Sequence, residues 1–267
     1  MKFLYALLGL AALYLAIIAL LYFRQTSLIY PAGKVDMPDQ APAPFTNFDV
    51  TSSDGNALRG WYAPAKPNMP TIVYFHGNAD NVPLSVKYHD LLLPHGFGVL
   101  LTSYRGYANN KGTPSEAGLY ADASAFINAL IKSGVPQKDI IIYGASLGSG
   151  VATEMAVRYP PKALVLACPF STIGDAGAER YPFIPVKWLM HDKYDNLHKI
   201  SQISAPILIA NGRNDQVFSW KEGAKLAAAA DPKLVTFKQF DGGHISFFFD
   251  GGGDQFIADW LNQFAIK

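Results

Sequence analysis

Hydrophobic positions divide the chain into two unequal parts. From Phe3 to Phe23 there are 21 residues without a charge, and Gly9 alone lies outside the hydrophobic set. As a helix rising 1.5 Å per residue, this run is about 31 Å long, enough to cross about 30 Å of hydrocarbon. Tyr5, Tyr22 and Phe23 lie near its ends, where amphipathic rings favour the interface, and Lys2 and Arg24 flank it. The pattern predicts a retained transmembrane anchor over residues 1–24. The competing reading is a cleaved secretory signal, whose apolar region is about 7–15 residues and ends in a small-x-small site. Here a longer run continues into Tyr-Phe-Arg-Gln-Thr. Lys2 and the N-terminus outweigh Arg24 by about one charge, which favours the N-terminus inside and the bulk of the chain outside. Pro31, Pro38, Pro42 and Pro44 then mark residues 25–47 as a proline-containing linker.

From residue 48 to 267 the pattern changes to short apolar runs alternating with helical periodicity. Phe48–Ser52 and Leu58–Ala63 read as a strand pair about the turn Ser53-Asp54-Gly55-Asn56. Thr71–Phe75, Gly98–Ser103, Ile140–Tyr143, Ala163–Ala167, Pro206–Ala210 and Val235–Phe240 read as further strands. Most lack polar alternation, as parallel strands covered on both faces do. Helices are expected at Val82–Leu93, Ser115–Ile131, Leu147–Tyr159, Trp220–Ala230 and Gln255–Phe264. Such an alternation predicts a mostly parallel α/β sheet, which carries its ligand site at the carboxyl ends of its strands.

Composition narrows the function classes. The 267 residues include 22 basic and 21 acidic side chains, so the basic footprint of a nucleic-acid binder is missing. One cysteine, Cys168, excludes an internal disulfide and a multi-cysteine metal site. Mean hydropathy is +0.11. The Phe3–Phe23 run alone sums to roughly +50 on a hydropathy scale and the whole chain to about +29, so the remainder is near-neutral and ordinary for a soluble domain. His89, His95, His191 and His198 have no partners at metal-ligand spacing, and there is no P-loop or G-x-G-x-x-G after the first strand. No metal and no cofactor are expected. The sequence carries no signal of oligomeric state.

The strongest chemical motif is Gly144-Ala145-Ser146-Leu147-Gly148, with a strand before it and a helix after it. A serine on this tight turn needs small neighbours two residues to either side, which Gly144 and Gly148 supply. The helix N-terminus favours an anion, and the Leu147 N–H is the first candidate oxyanion donor. A serine nucleophile needs a base and an orienting acid. His244 follows Gly242-Gly243 beyond the last strand, and Asp215 follows Gly212-Arg213-Asn214 beyond the preceding one. The order Ser146, Asp215, His244 is that of a strand-end triad, with Asp241 as the rival acid. After the third strand comes His76-Gly77-Asn78-Ala79. There the Asn78 N–H is the second candidate oxyanion donor, and His76 is expected to fix the loop with Gly77 rather than to act as base. A segment over residues 171–200 is expected to form a small cap, its aromatics packing on the core or lining an acyl pocket. Phe247, Phe248 and Phe249 are expected to add apolar surface near the site.

These motifs, with Tyr104-Arg105-Gly106-Tyr107 and Gly112-Thr113-Pro114-Ser115-Glu116, resemble the α/β-hydrolase superfamily. More narrowly, they resemble its N-terminally membrane-anchored ABHD-type serine hydrolases, the depalmitoylase-like branch and its bacterial relatives. The resemblance covers roughly residues 25–265. Ala145, Ser149, Asp80 and Ser103 depart from the usual pattern without removing a triad residue. It implies an eight-stranded, mostly parallel sheet flanked by helices, a small cap and one preceding transmembrane helix. It also implies cleavage of an ester or thioester, with a hydrophobic acyl group, through an acyl-enzyme. A serine peptidase or acyltransferase uses the same triad, and a non-catalytic, membrane-tethered binding domain is the rival from another class. The expected partners are a small or acylated substrate and the membrane, with no nucleic acid.

Overall fold

The computed structural model describes residues 1–32, 36–89 and 92–265. Its first element is α1 (Lys2–Ile29), a 28-residue helix long and apolar enough to cross a membrane. It runs past Arg24 because Gln25–Ile29 contain no helix breaker; the first is Pro31. The beginning of the segment read as a linker is therefore helical.

Eight strands form one sheet: β1 (Thr46–Thr51), β2 (Ala57–Ala63), β3 (Thr71–Phe75), β4 (Gly98–Leu101), β5 (Ile140–Ala145), β6 (Ala163–Ala167), β7 (Ile207–Gly212) and β8 (Val235–Phe240). Their spatial order is β1-β2-β4-β3-β5-β6-β7-β8. Only β2 runs against its neighbours, and every pair from β4 to β8 is parallel. Strands β3 to β7 are buried along their whole length, which accounts for their uninterrupted apolar runs. Two apolar clusters result, one on each face. The first packs α3 (Glu116–Lys132), α4 (Leu147–Arg158) and α8 (Trp220–Ala229) through Phe126, Met155 and Leu226. The second packs α2 (Val82–His89), α9 (Ser246–Phe249) and α10 (Gly253–Asn262) through Val82, Phe247 and Leu261. Helix α3 starts where Ser115 Oγ accepts the Gly118 N–H at 3.1 Å, and Gly134 follows its end with φ +105°. The helix expected over Val82–Leu93 is described from Val82 to His89; Asp90 and Leu91 lie outside the described residues, and the residues from Leu92 to Gly96 form turns.

Residues 171–200 form three short helices: α5 (Ile173–Arg180) and α6 (Val186–Leu189), which face Ser146 across a cavity, and α7 (Asn196–Ile200), which packs against α4 and α8. Arg105, at the end of β4, fastens the opposite edge. Its guanidinium pairs with the buried Asp122 on α3 at 2.7 Å and with Asp54 in the β1–β2 turn at 2.6 Å. Burial pushes the Asp122 carboxyl up, and Arg105 opposes that shift.

Candidate active site

Ser146 stands alone between the end of β5 and the start of α4, with φ 53° and ψ −121°. Such a backbone costs on the order of 1–3 kcal/mol and persists only where its surroundings enforce it. Here the Ser146 N–H donates to Ala167 O at 2.9 Å, continuing the β5–β6 ladder into the turn. A Cβ at Gly144 would lie 2.3 Å from Gly148 O, and one at Gly148 would lie 2.0 Å from Phe75 O. Both glycines are thus required by backbone passing against backbone.

The other two candidate residues come from adjacent loops tied to each other. The Arg213 N–H donates to Phe240 O at 2.9 Å and the Asn214 N–H to Gly242 O at 3.0 Å. Gly242 has φ +114°, a left-handed conformation that turns the chain toward His244. Asp215 Oδ1 accepts the N–H groups of Val217 (2.8 Å) and Phe218 (3.0 Å). Its Oδ2 lies 2.7 Å from His244 Nδ1, and His244 Nε2 lies 2.9 Å from Ser146 Oγ. A carboxylate only accepts, so Nδ1 donates to Asp215 and Nε2 is left to accept the serine proton. The Asp215 side chain is fully buried, whereas 15% of the His244 side chain is exposed. The rival acid, Asp241, is 94% exposed and pairs with Arg213 at 3.6 Å, away from the histidine.

His76 is fully buried beside the rings of Tyr104 and Tyr107, with centroids 4.4 and 5.1 Å away. Its Nδ1 lies 2.7 Å from Gly77 O, and among the described residues no group bonds its Nε2. Desolvation pushes its pKa down to about 4, so the ring is neutral and held in the loop. Gly77 lets that loop approach the serine, since a Cβ there would lie 3.3 Å from Ser146 Cβ. Leu147 is the first residue of α4, so its N–H has no acceptor within the helix. Asn78 lines the space in front of Ser146 on both sides.

Two cavities meet at Ser146. The larger, about 420 Å³, is bounded by the cap, by Gln216–Phe218 and by the C-terminal end of α1. The smaller, about 160 Å³, includes Asp80, His244, Ile245 and Phe248. Burial pushes the Asp80 carboxyl up to about 6. The phenylalanine run contributes less than expected. Phe248 lines the small cavity, but Phe247 is buried against Phe240 with ring centroids 5.7 Å apart, and Phe249 lines neither cavity. The cap aromatics also divide: Tyr181 lines the large cavity, while Phe183 and Trp188 are 85% and 90% exposed. The contribution of α1 went unread in the sequence. Gln25, an uncharged polar residue two positions after the apolar run, is the signal in the sequence that could have shown it.

Cys168, Asp215 and His244 bring donor atoms within 4.8 Å of one another. This set does not suit a metal. Burial pushes the Cys168 thiol up, Sγ donates to His244 O at 2.7 Å, and the other two residues satisfy each other.

Comparison with known proteins agrees with this architecture. A family model described as the alpha/beta hydrolase fold matches residues 70–189. Rv2307c of Mycobacterium tuberculosis, itself uncharacterised, is 37% identical over 227 residues, covering 81% of this chain and 79% of that one. The lysophosphatidylserine lipase ABHD12 of Rattus norvegicus is 33% identical over 214 residues. That match covers 72% of this chain but 53% of the lipase, so the chain spans about half of it. Among solved structures, the Pyrococcus furiosus esterase Pf2001 superposes with a TM-score of 0.69 at 18% identity, over 88% of this chain and 99% of the esterase. The strand order, the turn carrying Ser146 and these matches agree, and the chain belongs to the α/β-hydrolase family as an ABHD-type member.

Proposed function

We propose that this chain is a membrane-anchored serine hydrolase that cleaves an ester or thioester with a hydrophobic acyl group. The observation that carries the reading is the unbroken line from Asp215 Oδ2 through His244 to Ser146 Oγ, with contacts of 2.7 and 2.9 Å. Ser146 Oγ attacks the acyl carbonyl carbon while its proton passes to His244 Nε2. Asp215 keeps Nδ1 protonated and stabilises the cationic ring. The tetrahedral oxyanion is received by the N–H groups of Leu147 and Asn78, each worth about 3 kcal/mol. Collapse breaks the carbonyl–leaving-group bond, and His244 returns the proton to the departing oxygen or sulfur. Water, deprotonated by the same histidine, then releases the carboxylic acid and restores the serine.

The cavity of about 420 Å³ is lined mainly by apolar side chains, which favours a hydrophobic acyl group. The lysophosphatidylserine lipase name of the rat relative agrees with a lipid substrate. In this reading residues 1–24 anchor the chain, α1 continues to Ile29, the residues from there to 47 link, and residues 48–267 form the hydrolase with its cap at 171–200. A fluorophosphonate probe tests the chemistry. Wild type is expected to label and Ser146→Ala to remain unlabelled. A folded wild type that stays inert would support a tethered binding domain instead.

A further inference from the structure

A membrane anchor needs only to be apolar on all sides, yet α1 does something more specific. Leu21, Tyr22, Gln25, Leu28 and Ile29 line the large cavity opposite the cap. Their spacing of one, three, three and one residues puts them on one face of the helix. Gln25 is the only buried position of α1 and uses both ends of its amide. Oε1 accepts the His191 N–H at 2.8 Å, and Nε2 donates to Tyr22 O at 2.8 Å and toward Leu189 O at 3.4 Å. Farther up, the Tyr14 hydroxyl donates to Phe183 O at 2.7 Å. Beyond the helix, the Tyr30 hydroxyl donates to Asp192 Oδ2 at 2.6 Å. At the inner end, Asn78 Nδ2 reaches Ile29 O at 3.4 Å, joining the helix terminus to the candidate oxyanion loop. A freely swinging tether would make none of these bonds.

Four hydrophobic residues line the cavity and are also open to the outside: Tyr22, Leu28 (56% exposed), Tyr181 and Val217. They mark an apolar mouth at the foot of α1. Phe183 and Trp188 extend the apolar surface from there along the cap. Tyr14 lies about 18 Å along the axis from Lys2, short of the roughly 30 Å hydrocarbon thickness. Phe183, which it contacts, therefore sits at acyl-chain depth when Lys2 marks the far surface.

We infer that the last two turns of α1 are a wall of the substrate pocket and set which acyl chains fit, with the chain passing from the bilayer along Phe183 to the mouth, which at Leu28 lies about 39 Å from Lys2 and so at headgroup level. The occupant is the long acyl chain of a membrane lipid. This inference rests on the serine-hydrolase reading only for its kinetic readout, because acyl binding can be measured without catalysis.

The experiment uses the full chain in detergent, first as Ser146→Ala, with fluorescent cis-parinaric acid as the binding probe. Leu21→Trp is expected to weaken binding at least tenfold by filling the cavity. Leu28→Asp is expected to do the same by placing a charge on the wall, and its exposed position spares the fold. Leu20→Trp is the control on the outward side of the same helix and is expected to bind within twofold of the parent. In the Ser146 background, Leu21→Trp lowers the dodecanoyl-to-butyryl kcat/KM ratio at least tenfold, and Leu20→Trp leaves that ratio within twofold. Unchanged binding in both Leu21→Trp and Leu28→Asp, or an equal loss in Leu20→Trp, overturns the inference. Acyl binding that responds as expected in a protein that never labels overturns the hydrolase reading and leaves the wall standing.

Discussion

Asp215→Asn is the substitution that probes the candidate site most sharply, because the structure decides which way the new amide must point. Asp215 Oδ1 holds two backbone N–H groups and Oδ2 holds His244 Nδ1. If the amide oxygen takes the Oδ1 place, the Val217 and Phe218 N–H groups remain satisfied and the NH2 faces Nδ1. The imidazole then presents Nδ1 as acceptor and carries its proton on Nε2, so it cannot accept from Ser146. The opposite orientation aims NH2 at those two donors and leaves both without their acceptor in a part-buried turn, costing about 1 kcal/mol each. The first orientation therefore dominates and the wrong tautomer is locked in. A loss of about 10⁴ in kcat, or about 5.5 kcal/mol of barrier, is expected, as for the corresponding change in other serine triads. Burst kinetics on a p-nitrophenyl ester, with the fluorophosphonate rate in parallel, measure it; circular dichroism checks the fold. Asp241→Asn, on the exposed rival, is expected to stay within twofold. Retention of more than a tenth of wild-type activity by Asp215→Asn would refute the tautomer argument.

Two further expectations concern stability. Arg105→Ala strands the carboxylate of Asp122, whose side chain is fully buried, and is expected to cost about 3–5 kcal/mol in chemical denaturation. Arg105→Lys recovers only part, because one ammonium cannot reproduce the planar fork. The second concerns pH. His76 falls from 6.5 to about 4 on folding, so its contribution to stability declines as pH drops through that window; Asp80 rises from 3.8 to about 6, so its contribution grows over nearly the same window. Asp80→Asn removes the opposing gain and is expected to steepen the acid-side loss by about 3 kcal/mol between pH 6 and 4, read from urea midpoints across pH; an unchanged slope would show that Asp80 does not take up the proton.

The triad candidates were legible in the sequence because steric demand is written in residue types. Gly144 and Gly148 are forced by backbone atoms that leave no room for a Cβ, and Gly242 by a left-handed turn before His244. The strands were legible for a related reason: burial on both faces removes polar alternation, and β3 and β6 begin and end where the apolar runs do. The phenylalanine run misled because hydrophobicity reports that a side chain avoids water, not which apolar surroundings it joins. Phe247 joined Phe240 in the core, and Phe248 went to the small cavity.

The same degeneracy hid the role of α1. Leu21 and Leu28 look alike whether they meet lipid tails or an acyl pocket, since both surroundings are equally apolar. What distinguishes them is a polar residue whose hydrogen bonds must be met locally. Gln25 stands at the point where the helix leaves the apolar run, and a primary amide there is costly unless partners are built for it. The partners are the Leu189 carbonyl and the His191 N–H of the cap, so the glutamine fixes the rotation of the helix about its axis. That rotation in turn selects Leu21 and Leu28 as the cavity face and leaves Leu20 and Phe23 outward. A single amide thus converts a helix of uniform hydrophobicity into one with a defined inner face.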